Sequence, residues 1–227
     1  MMKEIFKKTT LYLVIPVLIV TAGLSCRWDK PKTATIHFHL ELNRDVYMDT
    51  LYGEPPQIAI WIENPQTGEI RNVWVTYRSG KNEWVGKVSC DVCLPYWQSR
   101  LEKAKARTEK PNPADKVDAV TAATPKDDSI NASITVPRGS RWMYYIEVNV
   151  SGDFNEAFPM RHPQGYPDMA GNGQPSLIYK GEITAEKNNE DSPELAGRTD
   201  QWQPVDHIIK EIEGITTAKN LLGELKA

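Results

Sequence analysis

Gln57-Ile58-Ala59-Ile60-Trp61-Ile62-Glu63, then Asn64-Pro65-Gln66-Thr67-Gly68, then Ile70-Arg71-Asn72-Val73-Trp74-Val75-Thr76-Tyr77, reads as a strand, a turn and a returning strand. Ile58, Ile60 and Ile62 fall on one face of the first arm and Ala59 and Trp61 on the other, because side chains alternate across an extended chain. The Asn, Pro and Gly between the arms are turn formers, which makes the unit a hairpin. The same period recurs on both sides of it. Ile36, Phe38, Leu40 and Leu42 alternate with His37, His39 and Glu41, and Glu83-Trp84 opens a strand expected to run to about Val88. Ile130 to Val136 and Trp142 to Val150 form two more, separated by Pro137-Arg138-Gly139-Ser140, and Ser176 to Ala185 forms the last. One segment has the helical period: Trp97, Leu101 and Ala104 recur at i, i+4 and i+7, with Pro95 opening the helix and Pro111 beyond its end. Many short strands at hairpin spacing with one inserted helix predict a mainly β protein, an antiparallel β-sandwich.

The chain of 227 residues, 40% apolar and 9% aromatic, has the composition of a globular domain. Residues 1–25 read as an export signal: Lys3, Lys7 and Lys8 precede the apolar run Leu11 to Val20, which is too short for a comfortable membrane span. Ala22-Gly23-Leu24-Ser25-Cys26 resembles a bacterial lipobox, which predicts lipidation of Cys26 and anchoring to a membrane in the extracytoplasmic cell envelope. Residues 26–34 are then a tether, 35–185 the sandwich domain, and 186–227 a polar linker and tail. Val205 to Ile215 and Ala218 to Leu225 carry enough apolar residues for short helices packing back on the domain. Loss of Lys3, Lys7, Lys8 and Glu4 leaves 24 basic and 29 acidic residues, a net charge of −5, which argues against nucleic acid as a partner.

Chemistry is concentrated in a few places. Val117-Asp118-Ala119-Val120-Thr121-Ala122-Ala123-Thr124-Pro125 is a run of small residues with an acidic group six positions before a threonine. Asp118 and Thr121 suit a capped turn, and Thr124 suits an acceptor hydroxyl. Cys90-Asp91-Val92-Cys93 can be a structural disulfide, a redox-active pair or a pair of metal ligands. An extracytoplasmic compartment permits the first, and the absence of a histidine after Cys93 argues against covalent heme. His37 and His39 share a strand face with Glu41, a spacing that can hold a transition metal, but no third ligand can be placed from the sequence and the pair is read as a polar face. The long segment 151–175 brings Met160, Arg161, His162, Asp168 and Met169 into one loop, and its length is a better functional hint than its donors. Glu63, Glu147, Asp153 and Asn155 are further polar candidates near strand ends. No nucleophile elbow, phosphate loop or zinc-protease helix is present, so a self-sufficient hydrolase is not indicated.

Ile58-Ala59-Ile60-Trp61-Ile62-Glu63, Gly68, Leu94-Pro95-Tyr96-Trp97, Asp118 to Pro125 and Tyr145-Ile146-Glu147-Val148-Asn149 together resemble the domain-of-unknown-function family 2271, over roughly Thr35 to Ala185. The resemblance implies an immunoglobulin-like sandwich in the periplasm, associated with a flavin transferase and a heme-handling membrane redox protein. Asp118 to Thr124 is also similar to the acceptor motif of that transferase, Asp-x-x-(Ser/Thr)-Gly-Ala-Thr, with Ala122 where the pattern has glycine. It implies that Thr124 is joined to FMN through a phosphoester, with Asp118 and Thr121 beside it. The expected function is a lipid-anchored accessory protein of a membrane redox system, an FMN carrier through Thr124. The alternative is a binding or scaffolding lipoprotein without cofactor.

Overall fold

The computed structural model describes residues 33–84, 88–107, 120–122 and 128–227. Its strands are β1 (Thr33–Leu42), β2 (Gln57–Glu63), β3 (Ile70–Thr76), β4 (Val120–Ala122), β5 (Ser129–Pro137), β6 (Arg141–Asn149), β7 (Leu177–Thr184), β8 (Glu194–Arg198) and β9 (Leu222–Lys226). Three helices are interspersed among the described residues, the five-residue α1 (Arg44–Met48) and α2 (Tyr77–Lys81) and the longer α3 (Pro95–Arg107). One sheet has the order β5-β1-β9; the other is the antiparallel series β3-β2-β6-β7-β8, extended at the β3 edge by the short parallel strand β4. The architecture is a β-sandwich.

Alternation builds the core between the sheets. β1 turns Ile36, Phe38, Leu40 and Leu42 inward, and Ile58, Ile60 and Ile62 of β2 and Trp142, Tyr144, Ile146 and Val148 of β6 meet them from the other sheet. Phe38 and Tyr144 touch edge to face across the gap, with ring centroids 5.5 Å apart, a geometry the ring quadrupoles favour. Burying a side chain of this size contributes roughly 2 to 3 kcal/mol. β2 lies in the middle of its sheet and every residue in it is buried, which explains why its two faces are both apolar. The second face, Ala59 and Trp61 with Ile70, Val75 and Ile178, packs under α3 through Leu94, Tyr96, Trp97, Leu101 and Ala104.

Three expectations are corrected. Glu83, Trp84 and Val88 are not in a strand, since α2 follows β3 directly and Asn82 takes a left-handed φ of 53° that turns the chain away from the sheet. The segment 186–227 is not a linker with short helices. Glu194–Arg198 pairs with β7 and Leu222–Lys226 pairs with β1, leaving a single 3-10 turn at Ala218–Asn220. Open sheet edges overrode the helical spacing there, and Gly223 weakened any helix. The folded unit accordingly runs from Pro31 to Ala227 rather than ending near Ala185. No helix among the described residues is long and apolar enough to cross a membrane.

Candidate functional site

The outer face of the larger sheet carries polar side chains that a strand pattern would leave in water, and the structure buries them. Tyr145, Glu147 and Asn149 alternate on β6, and Glu147 and Asn149 are fully buried. Glu147 accepts hydrogen bonds from the backbone N–H of Trp97 at 2.7 Å and of Tyr96 at 3.3 Å, so it satisfies donors in the first turn of α3 from another element. The Ser176 hydroxyl donates to it at 2.6 Å and lies 2.7 Å from the Thr199 hydroxyl. Burial pushes the Glu147 carboxyl up to about 7, against the pull of these donors. Further along α3, Arg100 makes a paired contact with Glu63, whose Oε1 also accepts from the Trp61 indole at 2.9 Å. Trp61 stacks on Tyr145 at 5.1 Å, and burial raises the Tyr96 hydroxyl beside them to about 12. The first half of the helix is thereby held at two points.

Just before α3, Cys90 and Cys93 form a disulfide with Cα atoms 5.5 Å apart, and both are buried. Cys90 Sγ lies 3.9 Å from Asn172 Oδ1; a bridged sulfur has no hydrogen to donate, so this is a packing contact. Asn172 in turn accepts from Asn149 at 2.9 Å and donates to the Gln201 carbonyl at 3.1 Å. The disulfide loop thus rests on a polar layer joining β6, the 151–175 loop and the tail.

Hollows open on two sides of this loop. One, of about 260 Å³, is lined by Tyr52, Glu54, Arg78, Trp84, Val88, Cys93, Met169 and neighbouring loop backbone. Arg78 and Glu54 form an ion pair in its wall. Tyr52 sits in a notch left by Gly152 and Gly171, where a Cβ would come within 2.4 and 2.7 Å of its ring. Leu51, Tyr52, Val88 and Met169 all remain exposed around this end. The other hollow, about 810 Å³, runs along the start of α3 past Asp91, Gln98, Glu102, Asp206 and His207.

The residues that the sequence singles out fall in several parts of the fold. Cys26, Asp118 and Thr124 lie outside the described residues. Thr121 is the middle residue of β4 and pairs with Val75 on the outer side of β3. The His162 ring stacks on Tyr166 at 4.3 Å and meets Trp202 edge-on at 5.1 Å. Asp168 holds the loop through the N–H groups of Ala170, Gly171 and Gly173. Asn155 receives the Phe158 N–H and donates to the Gly214 carbonyl. Asp153 accepts the Gln174 N–H at 2.7 Å, and burial raises its carboxyl to about 7. Sequence reading missed Tyr52, Arg78 and the capping role of Glu147. The last had a signal, an acid and an amide alternating within the otherwise apolar Tyr144 to Val150.

Compared with known proteins, the chain matches no family model, no curated protein and no solved structure.

Proposed function

We propose that this chain is a lipid-anchored, extracytoplasmic accessory protein that binds a partner of a membrane redox system and catalyses no turnover of its own. The end of the sandwich around the disulfide loop is its binding surface. The observation that carries this reading is the combination at that end of exposed Leu51, Tyr52, Val88 and Met169 around a cavity with a rigid polar base beneath it. Exposed apolar side chains on a fixed scaffold are what a recognition surface needs. The buried Cys90–Cys93 bridge supports an oxidising compartment, in line with the signal and lipobox pattern of residues 1–26. The buried carboxylates Glu147 and Asp153 serve as pegs between elements. The test is a photo-crosslinker at position 169 in the native envelope, with one at position 135 on the smaller sheet as control. Capture of a flavin- or heme-bearing membrane protein from position 169 alone supports the reading; equal capture from both positions, or none, refutes it.

A second reading, covalent FMN on Thr124, is favoured by the acceptor-like run Asp118 to Thr124 and by the attachment of its central residues to the outer side of β3 through β4. The threonine hydroxyl would attack the FMN phosphorus of a flavin dinucleotide, losing its proton as the phosphoanhydride bond breaks and the nucleoside monophosphate leaves, with the metal and the base supplied by a transferase. Co-expression with a flavin transferase and intact-mass measurement decides it. An adduct absent from Thr124→Ala supports the carrier; no adduct removes it and leaves the binding reading standing.

A further inference from the structure

The solvent face of the smaller sheet gathers three donor groups from two strands. His39 and Glu41 stand at i and i+2 on β1, and Glu224 comes from β9 on the neighbouring edge. One donor atom from each lies within 4.8 Å of the other two, and His39 Nε2 is 3.9 Å from Glu41 Oε1.

Three features make this more than two acids near a histidine. His39 Nδ1 lies 2.8 Å from Asn131 Oδ1 on β5. An amide oxygen there accepts the Nδ1 proton, fixing the tautomer that leaves the Nε2 lone pair free toward the carboxylates; metal-binding histidines are oriented in this way. The β1–β9 register shifts between Leu40 and Leu42. The regular part of the register pairs His39 with Lys226, and alternation along β9 puts Glu224 on that same face, opposite Glu41, with Gly223 as the extra residue beyond it. Gly223 also leaves room for the Glu41 carboxylate, since a Cβ at that position would lie 3.3 Å from Glu41 Cβ and Oε2. His37, exposed and opposite Ser133, stays outside the group.

We propose that His39, Glu41 and Glu224 bind a divalent transition ion of the zinc type, with one imidazole nitrogen and two carboxylate oxygens as protein ligands and water completing the shell. Ligands at ~2.0 to 2.1 Å around a tetrahedral ion lie roughly 3.3 Å apart, so the exposed side chains close by up to about 1.5 Å, a rotamer adjustment. Lys226 now contacts Glu224 and is the cation that the ion displaces. Because the ligands come from β1 and β9, the bound ion cross-links the C-terminal strand to the sheet, a role independent of the recognition end.

Zinc is the probe, titrated calorimetrically into the purified full chain. One saturable site is expected, weakened at least about tenfold by His39→Ala and by Glu224→Gln, and weakened by Asn131→Ala through loss of the oriented tautomer. His37→Ala should leave binding unchanged, and Lys226→Met should tighten it by removing the competing ammonium. No saturable binding up to about 100 μM zinc, weaker than a three-ligand site should be, overturns the proposal. So does binding that survives both His39→Ala and Glu224→Gln, and so does equal weakening by His37→Ala.

Discussion

Lowering the pH from 8 to 5 should stabilise this protein, against the usual acid trend. Glu147 and Asp153 are both buried and both held near 7, where an unfolded chain would release their protons near 4. The folded chain therefore binds more protons than the unfolded one between those values. The stability they contribute is complete below about pH 4 and is lost as pH rises through 7. One pKa unit corresponds to ~1.4 kcal/mol, so lifting Glu147 from 4.5 to about 7 makes its ionisation in the fold cost roughly 3 kcal/mol. Asp153 adds a similar amount, and relaxation and water entry reduce both, so a total near 2 to 4 kcal/mol is expected. The exposed pairs, Glu182 with Arg141, Asp206 with Lys103 and Glu224 with Lys226, have carboxyls held below their ordinary values. They act in the opposite sense, but only at more acid pH and weakly, because solvent screens them. Urea denaturation followed by tryptophan fluorescence at pH 5, 6, 7 and 8 reads the effect. At about 2 kcal/mol per molar urea, the midpoint should rise by roughly 1 to 2 M from pH 8 to pH 5. Glu147→Gln should remove about half of the slope. A midpoint that is flat or falls toward pH 5 in the parent protein would refute the argument that burial governs these two groups.

Breaking the Cys90–Cys93 bridge with a Cys90→Ser, Cys93→Ser pair closes no loop longer than four residues in the unfolded chain, so equilibrium unfolding should show a modest loss of about 2 kcal/mol; an unchanged midpoint would mean that the bridge adds nothing to the fold. Gly173→Ala should cost more, on the order of 2 to 4 kcal/mol in the same assay, because its φ is +82° and a Cβ would lie 2.8 Å from the Asp153 backbone nitrogen. Glu63→Ala leaves the Trp61 indole N–H and the Arg100 guanidinium without their shared acceptor, and a loss of about 2 to 3 kcal/mol is expected in thermal unfolding. Cys26→Ser should release the protein from the membrane fraction to the soluble one, and retention in the membrane would contradict lipidation.

The strands were legible where one face is apolar and the other is not. In β1, His37, His39 and Glu41 face outward and the four large apolar residues inward, so period alone located the strand and its orientation. The hairpin β2–β3 was legible for a different reason, the turn chemistry at Asn64 to Gly68, where Asn64 Oδ1 accepts the Gln66 and Thr67 N–H groups. The tail was not legible. Leu221, Leu222 and Leu225 satisfy a helical spacing as well as a strand, and the free edge of β1, a partner 180 or more residues away in the chain, decides between them. Candidate sites fared similarly. The closeness of Cys90 and Cys93 was visible as spacing, whereas the third donor beside His39 and Glu41 depends on that same distant pairing. Tyr52 and Arg78 carry no pattern of their own; glycines at 152 and 171 and the fold around them give Tyr52 its seat.

β1 occupies the centre of its sheet, antiparallel to β5 over nine residue pairs on one side and to β9 on the other. The chain enters this strand at Thr33, a few residues after Cys26. Tension applied to Thr33 along the strand axis lies at right angles to the ladder hydrogen bonds. Both ladders are then sheared as a block, and extraction of β1 requires many bonds to fail together instead of one after another. Pulling at residue 26 should accordingly give a high rupture force, and a low-force, stepwise release would show that β1 peels from its neighbours.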